Sequence, residues 1–187
     1  MAVTRKTAPV GIDFEIDKAQ VHFSGKIAAN SSQWNPRVYI NPFEKSAKTS
    51  NRKPEHFVIG SLNEYLEQYT NDLIDLHVFF VASENPELDN TTGDVTQRVS
   101  MIIQANLKNM YPSISHRADE ELHMAFYNAW NKWNLKTRFQ FVNYETGIDN
   151  VFREFETNKI IYSDLHPRHC VRFNFDVRYV PKCCTDC

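Results

Sequence analysis

Apolar and polar residues alternate most regularly in the second half of the chain. Val171, Phe173, Phe175, Val177 and Tyr179 alternate with Arg172, Asn174, Asp176 and Arg178, and Leu135, Thr137, Phe139 and Phe141 alternate with Lys136, Arg138 and Gln140. Successive strand side chains point to opposite faces, so this period of two predicts two strands with one wet face, the antiparallel habit. Val95, Val99, Met101, Ile103, Ala105 and Leu107 keep mainly to one parity and predict a long half-buried strand, which Tyr111-Pro112 ends. The apolar run Leu76–Val81 predicts a short buried strand. Ile12–Ile16, Val21–Ala28, His56–Ile59 and Ile160–Tyr162 predict further short strands. Residues 29–56 read as loop, rich in Pro, Asn and Ser, interrupted by Val38-Tyr39-Ile40 as an edge strand.

A second period appears twice. Leu122, Ala125, Phe126, Ala129, Trp130 and Trp133 fall on one helical face and predict a helix over 117–133. Asp119, Glu120 and Glu121 crowd its first turn, where the helix dipole favours anions. Leu62, Tyr65, Leu66, Tyr69 and Leu73 also recur at helical spacing, behind a capping box formed by Ser61 and Glu64, and predict a helix over 62–74. Val151–Phe155 reads as a helical turn. Strands dominate without a βαβ rhythm, so the predicted class is α+β: a mainly antiparallel sheet or sandwich with two principal amphipathic helices packed on it. The expected organisation is an N-terminal arm (1–11), one α+β domain (12–180) and a cysteine-rich tail (181–187).

Composition narrows the function classes. Apolar residues make up 42% of the chain and Phe occurs 13 times, which predicts an aromatic-rich core or contact surface. The net charge of −2 disfavours nucleic-acid binding by bulk charge and leaves little repulsion against self-association. No apolar run reaches the ~20 residues of a spanning helix, so no membrane partner is expected. The polar, basic N-terminus has no apolar signal region, so synthesis is expected in the cytosol, where disulfides do not normally persist. Only 5 Gly residues are present and no phosphate-cradling loop is seen.

All four cysteines, Cys170, Cys183, Cys184 and Cys187, lie in the last eighteen residues. Together with His166 and His169 they offer possible zinc ligands. The strand between the histidine pair and Cys184-Thr-Asp-Cys187 would separate them by about 35 Å at ~3.3 Å per residue, so one molecule does not easily close such a site. A redox CxxC opens a helix, which a terminal one does not. Cross-linking between molecules by Cys170, Cys183, Cys184 and Cys187 is the remaining expectation. Glu120 and His123 form a single Glu-x-x-His, where a di-metal bundle needs two. Asp164 and His166 form a possible acid–base pair without a nucleophile elbow. Trp130 and Trp133 read as core. Arg5, Lys6, Lys45, Lys48, Arg52 and Lys53 offer a local basic surface and carry the alternative reading, a small nucleic-acid-associated protein, viral or cellular. No catalytic, metal or cofactor-binding residue is expected.

Two segments carry a family resemblance. Phe57-Val58-Ile59-Gly60-Ser61 running into Leu62–Tyr69, and Ala125–Trp133 followed by Phe139–Tyr144, resemble the strand–helix and aromatic helix–strand passages of cypovirus polyhedrins. The resemblance implies a non-enzymatic viral structural protein. Its homotrimers would pack with virus particles into occlusion bodies in the host cytoplasm, and this crystalline matrix would dissolve at alkaline pH. The family's projecting N-terminal helix has no counterpart in residues 1–11, and the cysteine tail is the candidate substitute. Above about pH 10 tyrosines and cysteines become anions while lysines lose charge, so Tyr65, Tyr69 and Tyr179 are candidate alkaline-switch residues.

Overall fold

One mixed sheet organises the fold. The computed structural model describes residues 2–27, 29–40, 56–59, 65–67, 73–83, 85–155 and 166–181. In chain order the elements are β1 (Ala2–Val3), α1 (Ile12–Ser24), β2 (Ser32–Ile40), β3 (His56–Ile59), β4 (Tyr65–Glu67), β5 (Leu76–Ala82), β6 (Glu87–Leu88), β7 (Val95–Asn106), α2 (Leu107–Met110), α3 (Asp119–Asn131), β8 (Phe139–Thr146), α4 (Ile148–Val151) and β9 (Arg168–Tyr179). The strand order is β4-β3-β2-β5-β7-β9-β8, with β1 beside β2 and β6 beside β7. The β1–β2 and β2–β5 pairings are parallel and the others antiparallel. The coarse class is α+β, as the patterning predicts.

The centre of the sheet is buried on both faces, not on one. On the first face Val78, Phe80, Met101, Ile103, Phe173 and Phe175 meet Ile16 and Phe23 of α1 and Leu122 and Phe126 of α3 in the main core. On the second, Phe79, Val81, Ile102 and Cys170 meet Val151, Phe152 and Phe155. The polar partners in the β9 alternation are therefore not all wet: Arg172 and Asn174 are each 2% exposed. Only towards the strand's end does the pattern reach solvent, where Arg98 and Asp176 pair across the register at 2.6 Å. Burial of both faces places β7 and β9 mid-sheet, where alternation no longer reports solvent.

Four expected elements differ. Residues 12–24 form α1 rather than strands. Ile12-Asp13-Phe14-Glu15-Ile16 fits a period of two only over five residues. Ile12, Ile16, Ala19 and Phe23 fit a helical face over twelve, and they are the buried apolar residues of α1. Gly11 precedes the helix with φ +58°, a conformation glycine supplies cheaply. The expected helix over 62–74 is replaced at Tyr65–Glu67 by β4, paired with β3. Leu73 is 92% exposed, so its apolar side chain faces no core. The rest of that stretch, 62–64 and 68–72, lies outside the described residues.

The expected edge strand Val38–Ile40 is part of a nine-residue strand in the interior of the sheet, between β3 and β5. Pro36 sits where the β2–β5 register shifts between Trp34 and Arg37, so its missing N–H falls at an irregularity. Finally, β8 begins at Phe139. Residues 134–138 turn instead, with Arg138 N–H donating to the Leu135 carbonyl at 2.9 Å. The predicted strand at 160–162 lies outside the described residues.

Candidate functional site

The first turn of α3, the start of β9 and the end of β8 converge on two histidines. Phe126 and Leu122 turn one face of α3 to the core, and His123, one residue along from Leu122, rides at that face's edge with 5% exposure. On β9, His169 shares the parity of Val171 and Phe173 and points to the same side, 2% exposed. The ring Nε2 atoms of His123 and His169 lie 3.3 Å apart. Arg117, just before α3, donates from its guanidinium to His169 Nδ1 at 2.9 Å. A guanidinium has only donors, so His169 Nδ1 accepts and its proton sits on Nε2. That Nε2–H then donates to His123 Nε2. The tautomers follow from the network, and the chain has one direction: Arg117 to His169 to His123.

Tyr144 of β8 covers His123 at 4.9 Å between ring centroids, and Phe173 meets it edge-on at 6.2 Å. A cleft of about 330 Å³ opens beside the pair, with Asp119, Glu120 and Thr146 completing its wall. Burial holds His123 below the ordinary histidine pKa, with Glu120 and Asp119 opposing it in part. The chemistry available is that of two buried imidazoles joined as donor and acceptor, with Arg117 at one end, itself paired with Asp119 at 3.4 Å, and Glu120 beside His123 at the other. It does not present two lone pairs to a metal ion. Among the described residues no group of three or more His, Cys, Asp or Glu converges on a cation position.

The other candidates are dispersed. His166 and His169 part company. His166 lines a separate cleft of about 310 Å³ with Lys108, Tyr111, Ser115 and His116. Asp164 lies outside the described residues. Cys170 is fully buried in the smaller cluster, on the face opposite His169, so a neighbouring molecule does not reach it in the folded chain. Cys183, Cys184 and Cys187 lie outside the described residues. Arg5 is ion-paired with Asp17 and Lys6 with Asp13, both at 2.5 Å, so the basic arm is fastened to α1. Lys45, Lys48, Arg52 and Lys53 lie outside the described residues. Trp133 is core, 3% exposed, and stacks on His22 at 5.2 Å.

Of the candidate alkaline residues, Tyr179 is described. It donates to Gln97 Oε1 at 3.1 Å, and burial raises its pKa, with Asp13 adding to the rise and Arg37 opposing it. Tyr69 lies outside the described residues, and of Tyr65 only the backbone, in β4, is described. Two tyrosines that the patterning did not single out behave similarly. Tyr111 is raised by burial and then by Glu121. Tyr127 is raised by burial, then by Tyr144 and Glu120. Compared with known protein families, curated proteins and solved structures, the chain matches none.

Proposed function

We propose a non-enzymatic, self-assembling structural role: the matrix of an intracellular viral occlusion body, built on a sheet with α1 and α3 as its two principal amphipathic helices. Support comes from the β8 edge. β8 ends the strand order, and Val142 and Tyr144 on it are 41% and 44% exposed. An edge strand with no further strand beyond it among the described residues, carrying apolar side chains, is a template for association. Tyr144 lies close enough to Tyr127 to disfavour the Tyr127 phenolate. Val142 and Tyr144 give this edge apolar surface among the polar Gln140, Asn143 and Thr146. In strong alkali tyrosine ionises, and like charge there opposes any contact made at the edge.

The test is expression of the chain alone in insect cells. Intracellular crystals that dissolve in alkali are expected, and Tyr127→Phe/Tyr144→Phe should shift dissolution to higher pH. A soluble monomer at high expression refutes the role. The attachment of Arg5 and Lys6 to α1 carboxylates weighs against the nucleic-acid alternative.

A further inference from the structure

The directional chain at the α3 start has a consequence for acid. Arg117 can only donate. His169 therefore accepts at Nδ1 and donates from Nε2, and His123 accepts at Nε2. Add one proton. If His123 takes it, two N–H groups face each other at 3.3 Å. If His169 shifts its tautomer to relieve that contact, its Nδ1–H faces the Arg117 guanidinium instead. No arrangement of one extra proton keeps both contacts, and each failed contact sets donor against donor with like charge nearby. The carboxylate on the other side gives the proton a place to go. Glu120 precedes His123 by three residues, on the same side of the helix, and both line the open cleft.

We infer that Arg117, His169 and His123 form an acid-released latch holding the first turn of α3 to the β8–β9 corner. In the latched state His123 is neutral and turned inward to His169. In the released state it is protonated and turned outward to Glu120. The groups that face it decide the balance. Burial opposes the cation, Glu120 and then Asp119 favour it, and Asp119 is also paired with Arg117 at 3.4 Å. Tyr144 from β8 and Tyr127 from α3 are uncharged over this range, and His169 from β9 is the partner itself. The device belongs to the acid side of neutrality and does not depend on the proposed self-assembly.

The test uses the full chain with labelled histidines. Nitrogen NMR should show His123 as the Nδ1–H tautomer at pH 7.5 and as the doubly protonated cation at the acid end of the titration. Amide exchange at 119–123, divided by the intrinsic rate at each pH, should quicken severalfold between the two. H123Q keeps an acceptor for His169 without a titrating ring and should abolish the quickening. E120Q should lower the midpoint by removing the cation's partner. An Nε2–H tautomer on His123, exchange that does not change with pH, or an E120Q midpoint equal to wild type would each overturn the latch. E120Q decides the matter if H123Q fails to fold.

Discussion

Arg172 shows what a buried charge demands of its neighbours. It is 2% exposed in the middle of β9, yet each of its three guanidinium nitrogens donates a hydrogen bond. It makes a two-pronged contact to Glu154 at 2.6 and 2.8 Å, a bond to the Val151 carbonyl at 3.1 Å and one to Asn174 Oδ1 at 3.3 Å. Burial opposes ionisation of Glu154, but hydrogen bonds and charge from Arg172 outweigh it and hold the carboxyl below its ordinary range. Removing Glu154 leaves the Arg172 charge buried, which costs about 3–5 kcal/mol. Glu154→Met should therefore lower the unfolding free energy in urea by that amount, and Arg172→Met/Glu154→Met by clearly less. Equal losses in the two variants would show that the pair is solvated. The same pair fastens α4 and the turn after it to the sheet, so this residue-scale contact is also what brings Phe152 and Phe155 over the second face.

At the scale of elements, α3 depends on one ring. Phe126 stacks on Phe173 of β9 at 3.6 Å between centroids and on Phe23 of α1 at 5.4 Å. Phe126→Ala opens a cavity where helix, helix and sheet meet, and calorimetry should record a loss of about 3–5 kcal/mol. Met124→Ala, on the exposed side of the same helix, should stay within about 0.5 kcal/mol. That face of α3 was legible in the sequence because six apolar residues keep helical spacing over a long window. β7 and β9 were legible for the same reason at period two, and β5 as a short continuous apolar run. α1 was not, because five alternating residues imitate a strand, and its acidic positions look wet. Asp13, Glu15 and Asp17 are in fact buried against basic residues brought from the arm, α1 and the β8 start, including Arg138. β4 was hidden because pairing with β3, a tertiary effect, overrides local helical spacing. The site was half legible. Glu120, His123, His166 and His169 stand out as spaced pairs, but the sequence does not show that His123 meets His169 and that His166 turns elsewhere. Arg117 and Tyr144 carry no local signal at all.

For the molecule as a whole, buried titrating groups bound the stable range on both sides. His77 is 1% exposed beneath the second face, accepts from Asn35 Nδ2 at 3.1 Å, and burial pushes it down to about 4. An unfolded chain takes up this proton near pH 6.5, while the folded one waits until about 4. Between those values the unfolded state binds more protons, so stability falls as pH falls. His77 alone accounts for up to about 3 kcal/mol of that acid limb at ~1.4 kcal/mol per unit, and His123 adds to it in the same direction. The alkaline limb has the opposite sign. Tyr111, Tyr127 and Tyr179 are raised, so the unfolded state loses their protons first, from about pH 10, and stability falls as pH rises. Urea midpoints measured from pH 4.5 to 11 should therefore trace a plateau from about 6.5 to 10 with a fall on each side. His77→Gln keeps an acceptor for Asn35 and should flatten the acid limb without touching the alkaline one. Tyr111→Phe/Tyr127→Phe should do the reverse. If His77→Gln leaves the acid limb intact, the buried imidazole on the second face is not what acid attacks, and the limb belongs to His123 on the first face and to the depressed carboxyls of Glu154 and Asp75.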